Sequence, residues 1–367
     1  MKFPTNHSSI LGLIDSINPI SYAKSRNFID GKVTMLSPYI SRGFISTKQV
    51  FETIRSKGYS IEVSFKLIQE LAWRDFYQYT WIQQGNRIFE DLKHPQADVQ
   101  NFQIPETLLN ASTGIIAIDN QLKHLFETGY LHNHFRMYTA SLACNFGKSH
   151  WSMPAKWLYY HLLDGDLASN ALSWQWVAGS FSSKKYFFNQ ENLNKYAYSN
   201  QRNTFIDLPY DQIETKNTPQ NLKPTKEFIP EKLIFPDTKK LLILPDSPIL
   251  IYNSYNLDPL WRKDETKNKI LLLEPSHFEK FPISQKVLDF ILALSTNISE
   301  IQIFIGEFND LTDLILQSNS KATIIYKEHP LNNHYSGIED PRDWMFPNIS
   351  GKINSFFQYW RKAEKFL

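Results

Sequence analysis

Four short stretches of this 367-residue chain carry side chains whose types and spacing suit chemistry. In Glu70-Leu71-Ala72-Trp73-Arg74-Asp75-Phe76-Tyr77, the residues Glu70, Trp73 and Arg74 stand at i, i+3 and i+4. A helix there shows a carboxylate, an indole and a guanidinium on one face. A flat aromatic beside a hydrogen-bonding acid suits a planar, base-like ligand; an amphipathic helix with a local ion pair is the plainer reading. In Gly31-Lys32-Val33-Thr34-Met35-Leu36-Ser37-Pro38-Tyr39, hydroxyl side chains precede a proline-opened helix, whose positive end suits a phosphate or pyrophosphate. The same residues also read as a simple N-cap at Ser37-Pro38. In Leu131-His132-Asn133-His134-Phe135-Arg136-Met137, Asn133 and Met137 share one face and His132 and Arg136 another. His132 and His134 are two apart and diverge on a helix, so no metal is expected. The fourth stretch runs Asp164-Gly165-Asp166-Leu167-Ala168-Ser169-Asn170 into Trp174-Gln175-Trp176. Its acid pair could hold a metal as in sugar transferases, though no nucleotide-sugar fold lies nearby, or simply cap a helix.

The elements that must position these residues are helical. From Tyr22 to about Tyr198 apolar residues recur at 3.6-residue spacing, as in Ile68-Leu71-Ala72-Asp75-Phe76 and Met137-Ala140-Ser141-Cys144. Ser46-Thr47 marks a further helix opening. Between Pro209 and Lys240 the chain turns to Pro, Asn, Thr, Lys and Gln without period, which reads as a linker. Short apolar runs follow at Leu241–Leu244, Ile249–Tyr252, Ile270–Leu273 and Ile301–Ile305, with a helical stretch from Ser284 to Leu294 before the last. Such runs are typical of buried parallel strands. The expected fold is thus an α-helical domain over residues 1–210, a linker over 211–240, and a small α/β domain over 241–367, Rossmann-like with a parallel sheet.

Composition narrows the function classes. Lys plus Arg total 39 against 37 acids, which excludes binding by bulk positive charge. Residues 1–210 hold 20 basic and 16 acidic side chains, so the helical half is the one expected to meet an anion. The single Cys144 excludes a disulfide framework, a Cys-ligated zinc and an iron–sulfur cluster within the chain. No apolar run approaches a transmembrane helix, and Met1-Lys2-Phe3-Pro4-Thr5-Asn6 lacks the apolar core of a signal peptide, so a cytoplasmic protein is expected.

In order and spacing the four stretches, with Thr113-Gly114 and Asp119 between them and Phe188-Asn189 after them, resemble the FAD-binding helical domain of the DNA photolyase/cryptochrome family across Tyr22–Tyr198. The resemblance implies an FAD cofactor. Tyr22, Thr34, Met35, Leu36 and Ser37 match positions holding its phosphates and ribityl chain. Arg136 and Asp164 match an ion pair beside the isoalloxazine, Asp166 the acid next to it after Gly165, and Asn170 the residue facing N5, with Arg74 also on the cofactor side. Glu70, Trp73, Asn133, Met137 and Trp176 match the pocket for a flipped pyrimidine dimer; histidines would stand at Asn133 and Met137 in (6-4) photoproduct enzymes. The implied activity is light-driven repair of cyclobutane pyrimidine dimers in UV-damaged DNA, by electron transfer from excited reduced flavin to the flipped-out dimer. Arg26, His134, Lys184 and Lys185 are the implied phosphate contacts on single- or double-stranded DNA.

Three departures from the family pattern are expected. The usual N-terminal α/β antenna domain is missing, and a shortened copy stands at the C-terminus: Ile249–Leu257 resembles its opening strand and Phe356–Trp360 its closing segment, as after a circular permutation. Whether an antenna chromophore binds there is left open. In the tryptophan relay, Trp174 and Trp151 match the inner and middle members, while Asp98 falls at the outer one; either Trp157 or a tyrosine substitutes or photoreduction is slow, and core packing is the other reading of Trp151 and Trp157. A cryptochrome-like photoreceptor and a single-strand-restricted protein of the cryptochrome-DASH kind are the rival functions. A monomer without metal or membrane attachment is expected.

Overall fold

The computed structural model describes residues 3–214, 217–245, 247–317 and 322–367. Met1 and Lys2 of the N-terminal reading, and Thr215-Lys216 of the linker, lie outside them. Helices follow one another from Pro19–Ser25 to Gln190–Ala197, with one more at His7–Asp15. The longest, α1, spans Ile61–Gln84 and carries the Glu70-Trp73-Arg74 face. Helix α2, Leu167–Ala178, follows the acid pair, and Asp166 is its N-cap, accepting from the Ser169 amide at 2.7 Å. Ser46 caps Thr47–Ser56 as expected, accepting from Gln49 at 3.0 Å. The Thr113-Gly114/Asp119 motif is also a cap: Asp119 Oδ1 accepts from the Thr113 amide and hydroxyl, both at 2.7 Å, and Oδ2 accepts from Gly114. These local devices satisfy amides that a helix start leaves unpaired.

Three local expectations are corrected. Ser37 is not an N-cap but the first residue of the five-residue helix Ser37–Ser41, whose cap position falls on Leu36. His132 is the N-cap of Asn133–Ser141 rather than part of it, so its ring lies parallel to that of His134, centroids 6.1 Å apart, instead of diverging. Cys144 sits in a π-helical turn, Leu142–Phe146, that continues this helix.

A two-stranded ribbon pairs β1 (Ile104–Pro105) with β2 (Thr225–Lys226), tying the linker segment to the helical half. The C-terminal part forms a parallel sheet of β3 (Ile249–Tyr252), β4 (Lys269–Leu273), β5 (Ile301–Ile305), β6 (Ile324–Lys327) and β7 (Ile338–Asp340) in the order β5-β4-β3-β6-β7. Strands β3 and β4 are buried throughout, whereas β5, at one edge, is half-buried. Leu241–Leu244, expected as a strand, is irregular. The Gln302 side chain both donates to and accepts from Leu242, at 2.9 and 2.7 Å, occupying the backbone groups a ladder would use.

Alternation places Ile249, Ile251, Ile270 and Leu272 on one sheet face, against Phe308, Leu311 and Ile315. Leu250, Tyr252, Leu271 and Leu273 on the other face join a core continuous with Ile68, Phe76 and Leu172 of the helical half. The two halves also meet through the Tyr159 and Tyr255 hydroxyls, 2.6 Å apart. Helix α3, Phe356–Ala363, lies along α1, with Phe65 edge-on to Trp360 and Phe76 against Phe356 and Tyr359.

Candidate functional site

The acid pair forms the floor of the site. Asp164 lies buried in the turn before α2, and Arg136 Nη2 reaches its two carboxylate oxygens at 2.9 and 2.8 Å. Burial pushes this carboxyl up, but Arg136, Ser37 and Arg74 together outweigh it and hold the group below the usual carboxylate range. Asp166, also buried, accepts from Gln78 Nε2 at 2.6 Å and has Arg74 Nη1 at 3.8 Å from the same oxygen. Gly165 between them packs closely: a Cβ there would stand 3.1 Å from the Tyr159 ring and from the Leu162 carbonyl.

The rim comes from α1 and the segments packed on it. Arg26 Nη1 meets Glu70 Oε1 at 2.7 Å. Burial raises the Glu70 carboxyl above its ordinary value, with Arg26 and Lys66 pulling the other way. Tyr22 adjoins the same pair, and burial pushes its phenol up. Thr34 Oγ1 accepts from the Leu36 amide at 3.4 Å, and Met35 between them adopts a positive φ of 56°, a strained turn for a residue with a side chain. Thr34, Met35, Ser37, Tyr22, Glu70, Trp73, Arg74, Arg136 and Asn170 are all half-buried, whereas Asp164 and Asp166 beneath them are buried. Of these residues, Arg74 and Asp166 line a cavity of about 320 Å³. Ser169 Oγ is buried and has no hydrogen-bond partner among the described residues. A guanidinium–carboxylate pair, a second fixed acid and an unpaired hydroxyl are a donor and acceptor set that fits a flavin's polar edge and its polyol arm.

The structure does not draw every expected residue into this cluster. Asn133 is exposed at the start of its helix, Met137 packs partly into the helical core, and Asn170 donates to the Ala155 carbonyl at 2.9 Å. One face of Trp73 is covered by Phe356 of α3, rings 3.7 Å apart and 7° from parallel. Trp176 is exposed beside Tyr186. His134 stacks on Tyr196, centroids 4.8 Å apart, and burial lowers its pKa to about 4, which disfavours the charge a phosphate contact would use. Lys185 is tied to Asp98 at 2.7 Å and to the Ala97 carbonyl; Lys184 is exposed. Trp174, Trp151 and Trp157 are buried, and Trp151 Nε1 donates to Asp91 at 2.8 Å.

Sequence reasoning missed Gln78, Tyr77 and Tyr130. Tyr77 hydrogen-bonds Ser173 and feels Glu70, while Tyr130 lies beneath the Arg136 guanidinium at 5.9 Å. Gln78 stands four residues after Arg74 and eight after Glu70, a helical spacing that would have flagged it.

Part of the chain is similar to known proteins. Residues 67–207 match the family model for the FAD binding domain of DNA photolyase. The chain is 30% identical over 172 residues to cryptochrome DASH of Danio rerio, a match covering 43% of this chain and 32% of that protein. It is 31% identical over 147 residues to the deoxyribodipyrimidine photo-lyase of Streptomyces griseus, covering 40% of this chain and 32% of the relative. A bacterial class III photolyase from Agrobacterium tumefaciens, of solved structure, aligns with a TM-score of 0.45 and 26% identity over 52% of this chain and 41% of its own. These matches span about a third of the curated relatives' length. No helix among the described residues is long and apolar enough to cross a membrane. Within the helical half, residues 67–207 are thus similar to the FAD binding domain of DNA photolyase, and the curated relatives matched include cryptochrome DASH and deoxyribodipyrimidine photo-lyase proteins.

Proposed function

We propose that this protein repairs cyclobutane pyrimidine dimers in DNA with FAD and blue light. The observation that carries the reading is the buried Arg136–Asp164 pair and Asp166, the latter reached by Gln78 and Arg74 of the same helix that carries Glu70 and Trp73. When bound and reduced, the flavin supplies an electron on excitation by blue light. Arg136, Asp164, Asp166 and Arg74 bind and orient it in a site shielded from water. Glu70, whose carboxyl burial raises above its ordinary value, hydrogen-bonds the lesion where negative charge develops. Trp73 and Trp176 offer apolar faces to the flipped bases, at about 1–3 kcal/mol per stacked base. Arg26 keeps its Nη1 on Glu70 and has further guanidinium donors to offer a phosphate.

The covered face of Trp73 and the pairing of Lys185 with Asp98 favour a second reading. Weak duplex binding suits a photoreceptor or a protein restricted to single strands. The test is dimer loss in UV-damaged thymine oligonucleotides, single- and double-stranded, with dithionite-reduced protein in blue light and in the dark. Light-dependent loss that Glu70→Ala largely abolishes, with FAD retained, supports repair and shows the strand preference. No loss from protein carrying reduced FAD overturns it in favour of the photoreceptor.

A further inference from the structure

The halves of the chain are joined at the flavin-side acid by one side chain. Gln78, buried on α1, accepts from Arg342 Nη1 at 2.8 Å and donates to Asp166 Oδ2 at 2.6 Å. A guanidinium only donates and an ionised carboxylate only accepts, so the amide is held in one orientation with both ends used. Arg342 comes from the loop after β7, some 260 residues from Gln78 in sequence. It is stacked over Trp344 at 4.7 Å, with Glu328 3.6 Å from its Nε. Its Nε and Nη2 lack a hydrogen-bond partner among the described residues, and it lines a cavity of about 320 Å³ with Arg74, Asp75, Gln78 and Asp166. A cation buried this deeply is costly unless its charge is used.

We propose that Gln78 and Arg342 are positioning residues for Asp166, so that the C-terminal half sets how tightly the helical half holds FAD and how readily that flavin is reduced. The inference rests on the flavin reading above. Arg342 polarises the Gln78 amide, and the amide fixes the rotamer of Asp166 beside the ligand. The positive charge also favours the added electrons on the flavin, so its loss makes the midpoint potential more negative.

The test is a double-mutant cycle on the full chain, reading FAD dissociation constant by fluorescence titration and midpoint potential by dye equilibration. Gln78→Leu and Arg342→Met are each expected to weaken FAD at least tenfold and to lower the potential. The double variant is expected to bind FAD no more weakly than either single one, because both cut the same relay. Arg342→Lys, which keeps the charge, restores part of the potential, an effect packing alone does not produce. Circular dichroism identifies variants that fail to fold; the conservative Arg342→Lys and Gln78→Met then carry the comparison. Additive losses, or single variants within twofold of wild type in both readouts, overturn the relay while leaving the flavin site intact. Failure of the wild-type chain to bind FAD overturns the functional reading and this inference with it.

Discussion

Asp75 is buried at the seam between the two halves, where its carboxylate accepts from Thr47 Oγ1 at 2.7 Å and from the Met345 amide at 2.9 Å. Burial dominates and lifts its pKa from 3.8 to about 6, against the pull of Thr47, Met345, Arg342 and Arg74. A rise of about two units corresponds to about 3 kcal/mol. The sign follows from proton counting. Between about pH 4 and pH 6 the folded chain keeps a proton that the unfolded chain has released, so stability falls as pH rises and levels off above the folded value. Asp75→Asn removes the titration and keeps the contacts: its amide oxygen accepts from Met345, and its NH2 group donates to the Thr47 oxygen. Urea unfolding of both proteins, followed by circular dichroism from about pH 4 to pH 7.5, reads the difference. The variant is expected to match wild type near pH 4 and to exceed it by up to about 3 kcal/mol at neutral pH, changing by about 1.4 kcal/mol per pH unit between. The loss of one counter-charge to Arg342 trims the upper figure. A variant less stable than wild type at neutral pH, or a difference that ignores pH, would refute the assignment of a buried, reluctantly ionised Asp75.

Other outcomes follow from single contacts. Phe356→Leu removes the ring stacked on Trp73; it is expected to cost about 1–2 kcal/mol in stability and to tighten dark binding of a dimer-containing oligonucleotide, whereas unchanged affinity would place the flipped base on the opposite indole face. Asp164→Ala combined with Asp166→Ala removes both floor acids, leaves Arg136 and Arg74 uncompensated, and is expected to give folded, colourless protein after FAD reconstitution; yellow protein would show that the floor is not the flavin site.

The sequence by itself determined what depends on neighbours a few residues apart. Periodicity placed the helix train, and side-chain type and spacing placed the caps at Ser46 and Asp166, because each is closed by an amide three residues away. Apolar runs marked β3 and β4, whose residues face core on both sides. The ordered motifs brought Glu70, Arg136, Asp164 and Asp166 to attention before any contact between them was visible. Local pattern failed where a remote group competed. Leu241–Leu244 has the composition of a strand, yet the Gln302 amide takes up the backbone groups of Leu242. Only the tertiary structure decided that Trp73 lies under Phe356, that Asp75 receives the Met345 amide, and that Gln78 carries Arg342 to Asp166. Each of those pairings joins residues more than 260 positions apart in the chain, except the last link at 88. No periodicity spans such separations. What selects these partners is the burial of a continuous apolar core across both halves, which forces the polar groups trapped at the seam to satisfy one another.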